Sequence, residues 1–150
     1  MAKKYKWVII LTIVVLVGLF IFFYSFYLKD MKALADFSAS YEKYDQAISD
    51  FSAGETDDLE KKAGDTLTEL NEKAAAFRLS SLIKNDAELM DIAQKIADFS
   101  GRELENLRAY KRSLQSQSAD LDKLAKEYSD MTGKRKIAYS RFRELAEFKD

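Results

Sequence analysis

Five cations, Lys134, Arg135, Lys136, Arg141 and Arg143, fall within ten residues near the C-terminus. A run of this kind can solvate a helix face or meet an acidic protein surface. Close to a bilayer it can hold anionic lipid headgroups. Nucleic acid is set aside as a partner, because the chain is acidic overall (pI ≈ 5.7) and lacks a known binding module. Asp57 and Asp58 could touch a hard cation. Without an EF-hand spacing or a glycine turn they read instead as the acidic first turn of a helix.

Other chemistry finds few residues to carry it. With no cysteine there is no disulfide, thiolate nucleophile or zinc–thiolate site. With no histidine the usual general base and the commonest transition-metal ligand are missing. Glycine fingerprints for phosphate or dinucleotide binding are absent, and nothing singles out one Ser–Lys pair. The chain is read as non-enzymatic, with no cofactor and no metal.

The elements that would position these groups are helical. Proline is absent and only five glycines occur, so the chain is poor in turn formers. From Trp7 to Leu28 no residue is charged; as a helix these 22 residues extend ~33 Å, enough for a hydrocarbon core of about 30 Å. Tyr5 and Trp7 at one end and Tyr24 and Tyr27 at the other fit interfacial aromatic belts. A cleaved leader is the rival, since Ala33-Leu34-Ala35 is an A-x-A triplet. The apolar run is longer than the usual ~7–15 residues, and Lys29, Asp30 and Lys32 precede the triplet. Lys3, Lys4 and Lys6 favour a cytoplasmic N-terminus and an extracytoplasmic domain.

Beyond the apolar run, Leu34, Phe37, Tyr41, Tyr44, Ile48 and Phe51 recur at spacings of 3 and 4. Such a stripe packs within its own bundle or forms a seam with another chain, and these six are the candidate protein-interaction residues. Gly54 reads as the stop of that helix, and Thr56-Asp57-Asp58 as the start of the next. So short a connection implies an antiparallel hairpin. Ala63, Leu67, Leu70, Ala74 and Phe77 mark the second helix. Asn85 and Glu88 read as a capping pair opening a third, with Leu89, Ile92, Ile96 and Phe99 on one face.

At Phe99 the pattern jumps: the next position in phase is Glu103, and apolar residues resume at Leu104. Ser100 and Glu103 make a capping box flanked by Phe99 and Leu104, which predicts a new helix start or a sharp kink at Ser100. The fourth stripe runs through Leu104, Leu107, Leu114, Leu121, Leu124, Tyr128 and Met131, with a weak spot at Gln117 and Ser118. Thr132-Gly133 predicts a last break. A short helix follows with Ala138, Phe142 and Leu145 inward.

Residues 29–72 carry a net charge of −7 and residues 73–150 a net of +3, so the two halves could attract. The expected fold is all-α: a basic tail (1–6), a transmembrane helix (7–28), and a soluble domain (29–150). The membrane helix continues into an antiparallel bundle of three to five helical segments. The expected function is a single-pass cell-membrane subunit whose helical domain docks other membrane-complex proteins or a second copy of itself. An extracytoplasmic ligand-sensing bundle, signalling through a partner membrane protein, is the alternative.

Overall fold

The computed structural model describes residues 2–54, 56–80, 85–116 and 120–146, with residues 2–9 described by backbone alone. The rings of Tyr5 and Trp7, and the weak spot at Gln117 and Ser118, lie outside this description. The described chain is all-α, with helices α1 (Ala2–Ala53), α2 (Asp57–Ala76), α3 (Asp86–Ser116) and α4 (Leu121–Ala146).

α1 has 52 residues and is ~78 Å long. Nothing in its sequence stops it: no proline occurs, and straight-chain, aromatic and β-branched residues follow one another without a cap signal. Its two halves have opposite surroundings. From Ile10 to Leu28 the side chains are exposed, and the helix is long and apolar enough to cross a membrane. From Asp30 onward one stripe is buried. Leu34, Phe37, Tyr41, Tyr44, Ile48 and Phe51 are each no more than 4% exposed.

α1 ends where the Gly54 amide donates to the Asp50 carbonyl. Thr56 then caps α2: its backbone is extended, and its side chain accepts from the Leu59 amide at 3.4 Å. Asp57, Asp58 and Glu60 occupy the first turn, where the positive end of the helix dipole favours them. α2 therefore folds back along α1. It buries Ala63, Leu70 and Ala74 against the stripe, and Lys43–Glu69 and Lys62–Asp50 ion pairs flank the seam. α3 packs on α2 and α4 packs on α3. Leu89, Ile92, Ile96, Leu104 and Leu107 of α3 and Phe142 of α4 complete one core with the α1 stripe. At its base the rings of Phe37, Phe77 and Phe142 meet, with centroids 4.9–5.8 Å apart.

Two expected breaks are absent. α3 runs unbroken through Ser100. Ser100 Oγ donates to the Ile96 carbonyl at 2.8 Å, a bond made inside a helix, and does not cap one. α4 likewise runs unbroken through Thr132 and Gly133. A glycine in mid-helix costs only about 1 kcal/mol, which the packing of Tyr128 and Phe142 on either side can offset. The start expected for α3 is present, since the helix opens at Asp86 and the Leu89 amide donates to the Asn85 carbonyl, but Asn85 takes a left-handed backbone (φ 65°) and Glu88 reaches Arg141 of α4, so the side-chain capping pair is not formed.

The clasp at the base of the bundle was not expected. Asp30, two residues past the apolar segment, is buried, and its carboxylate accepts from both the amide and the hydroxyl of Ser80. It ties the segment after α2 to α1 at the level where the bare half of the helix begins.

Candidate interaction site

The six stripe residues do come together, but inside the chain. Every one of them lies in the core formed by the four helices, so the stripe is not open to another protein in this structure. The correction has a simple cause: α2, α3 and α4 supply enough apolar surface to cover the whole stripe. The two tyrosines of the stripe are buried as well, and their hydroxyls find partners inside.

Those partners dismantle the basic patch. Arg135 is 1% exposed and faces the core. It sits seven residues from both Tyr128 and Phe142, in phase with the buried face of α4. Its Nη1 donates to the Tyr41 hydroxyl at 2.8 Å, and its Nη2 lies 2.7 Å from Asp45 and 3.2 Å from Glu103 Oε1. Its Nε is 2.6 Å from Glu103 Oε2, an ion contact without hydrogen-bond alignment. Glu103 is fully buried and also accepts from Tyr44 at 3.2 Å and from Thr132 at 2.7 Å. The Tyr44 hydroxyl reaches the Ser100 carbonyl at 2.7 Å. One cluster thus joins α1, α3 and α4.

Electrostatics within the cluster are consistent. Burial opposes the charge of Arg135, but Glu103, Tyr41 and Asp45 outweigh it and hold the guanidinium charged above its ordinary range. Burial also pushes the Tyr41 and Tyr44 hydroxyls well above the usual phenol range. The Glu103 carboxylate adds to the rise at Tyr44, and Arg135 opposes it at both. The cluster can hold its protons and its geometry; its one exposed edge, at Asp45 and Tyr41, borders the cleft between α1 and α4.

The other four cations remain outside. Lys134 pairs with Asp130 at 2.7 Å on its own helix. Arg141 bridges Glu88 and Glu144, which raise its pKa. Lys136 and Arg143 lie on a second face beside Tyr139, along a cleft of about 330 Å³ between α1 and α4. The cations therefore do not form one patch. The attraction expected between the acidic and basic halves is present at three contacts among the described residues, Arg135–Asp45, Arg108–Glu60 and Lys73–Asp36.

What the surface does offer is sparse. Outside the bare half of α1, the large apolar side chains that are exposed among the described residues are Ile137 (72%) and Leu114 (41%). Ile137 borders a shallow groove of about 430 Å³ on the outward face of α4, with Lys126, Asp130, Gly133 and Lys134. Leu114 lies where α3 continues past the α1–α2 turn, a level marked by the Lys111 ammonium donating to the Gly54 carbonyl at 2.7 Å. Nearby is a polar cleft of about 210 Å³ lined by Thr56, Asp57 and Arg112 among others. No group of three or more potential metal ligands occurs among the described residues.

Two signals could have located the cluster. Glu103 occupies the position where the α3 stripe requires an apolar residue, and Arg135 does the same on α4. Opposite charges in phase with two facing seams mark a buried pair. No protein family model, curated protein or solved structure matches the chain.

Proposed function

We propose that this protein is a membrane-anchored interaction subunit. In this reading the bare half of α1 crosses the cell membrane with the N-terminus cytoplasmic, and the bundle stands outside and docks other proteins of a membrane complex. One observation carries it: a single unbroken helix has an apolar, exposed first half and a second half that is part of the bundle core. Exposed apolar surface on that scale is costly in water and favourable in lipid. No linker separates the halves, so the bundle is held rigidly at a set height, as a structural subunit requires. In this reading the docking positions are Leu114 on α3 and Ile137 on α4, the exposed large apolar side chains among the described residues of the bundle.

The test is purification of the tagged full chain from membranes in mild detergent, beside the Leu114→Asp and Ile137→Asp variants. A stoichiometric partner lost from either variant, with the bundle still folded, is the expected result. A chain recovered alone in both forms would remove the docking role. The cleft between α1 and α4 favours a second reading, a ligand-sensing bundle signalling through a partner membrane protein. Its lining is aromatic and charged, with Tyr41 and Tyr139 stacked at 3.6 Å. A small ligand that protects Lys136→Cys from thiol labelling would favour that reading.

A further inference from the structure

Leu34, Phe37, Tyr41, Tyr44, Ile48 and Phe51 make a regular seam, and a regular seam is ambiguous along its axis. A slide of α1 by one turn, ~5.4 Å, carries each seam residue to the place of the next. Large apolar side chains then replace large apolar side chains: Tyr44 takes the place of Tyr41, and Ile48 that of Tyr44. Hydrophobic burial is non-directional and separates the two registers poorly.

The polar contacts do separate them. With the seam in place, Arg135 meets Tyr41 and Asp45 of α1, and Glu103 meets Tyr44. A slide that brings Ile48 to the Tyr44 position sets an alkyl group against Glu103. The opposite slide brings Phe37 to the Tyr41 position and removes the hydroxyl that Arg135 reaches. Either move takes hydrogen bonds from a buried charge, which is far costlier than exchanging one apolar residue for another.

We infer that the Arg135–Glu103 cluster is a register lock, fixing α1 along its axis against α3 and α4 and excluding the one-turn slide that the apolar seam alone permits. Buried polar groups are best attested in this role; for stability, apolar residues of similar volume serve as well or better. The lock acts on the same helix that carries the bare apolar half, so it also sets how far that half projects from the bundle. The Asp30–Ser80 clasp, whose carboxylate is also buried, ties α1 to the segment after α2 and not to α3 or α4, against which the lock fixes it.

The chain has no cysteine, so paired nitroxide labels report one chosen distance. Ala39→Cys on α1 and Lys123→Cys on α4 are both exposed positions, and Lys123 lies ~18 Å along α4 from Arg135, the residue that meets Tyr41, so the pair is sensitive to an axial slide. Pulsed electron paramagnetic resonance on the full chain in lipid nanodiscs should give one narrow distance population. Adding Arg135→Met and Glu103→Leu removes the cluster at similar volume. It leaves Tyr44 its bond to the Ser100 carbonyl and Thr132 its bond to the Tyr128 carbonyl. The expected result is a chain that still melts cooperatively but shows a second population displaced by about 5 Å, one helical turn. One unshifted population in that variant overturns the inference. So does loss of folding, which would make the cluster a source of stability and not of register.

Discussion

At the scale of residues, Arg135 departs furthest from its neighbours in sequence. Lys134, Arg135 and Lys136 are consecutive, yet one is in the core and two are in water, because a helix turns about 100° per residue. Removing one partner of a buried ion pair leaves the other charge uncompensated. Arg135→Ala should therefore destabilise the bundle by about 3–5 kcal/mol in chemical denaturation, whereas Lys136→Ala should stay within about 0.5 kcal/mol. Equal effects would mean that Arg135 is solvated.

The buried tyrosines give a pH signature. Their pKa values are raised in the folded state, so the folded chain keeps phenol protons that the unfolded chain releases near pH ~10. Stability from this source is complete below that pH and falls as pH rises above it. The melting temperature should drop above pH ~10, and the drop should be shallower in Tyr44→Phe, which has no proton to release. An equal slope in both would contradict the burial of Tyr44.

At the scale of elements, the helices and their inward faces were legible because apolar spacing and burial have the same cause. The α1 stripe, the Gly54–Thr56 connection and the acidic first turn of α2 all follow from local rules. The breaks at Ser100 and Gly133 did not follow. Ser-x-x-Glu satisfies a helix start and a helix interior equally well, and only the distant Arg135 and Tyr44 decide between them by drawing Glu103 inward. The stripe left two covers open for a similar reason: a seam reads the same whether its cover comes from its own chain or another, and here its own chain supplies it. At Gly133 an added Cβ would meet nothing within 4 Å. Gly133→Ala should accordingly stabilise the chain by about 0.5–1 kcal/mol. Thr56→Ala should cost about 0.5–2 kcal/mol through loss of the α2 cap. Destabilisation by Gly133→Ala would indicate that α4 is interrupted there after all.

At the scale of the whole molecule, one unbroken helix carries an exposed apolar half and a half built into the bundle core, which the proposed function reads as a rod shared between lipid and bundle. Its orientation rests on the basic N-terminal tail. Ser116 is exposed at the end of α3, so Ser116→Cys should react with an impermeant thiol reagent on intact cells. Reaction only after lysis would place the bundle inside. Retention of the apolar segment is the more basic matter. Cleavage after Ala35 would remove Leu34 from the core and Asp30 from its bond to Ser80, so an intact N-terminus suits the folded bundle. The most direct measurement is the intact mass of the protein left in the membrane pellet after alkaline carbonate extraction. On this account these 150 residues, expressed on their own, should be found in the pellet at their full 17.2 kDa, with or without Met1. A species beginning at Asp36 and released to the supernatant would contradict it.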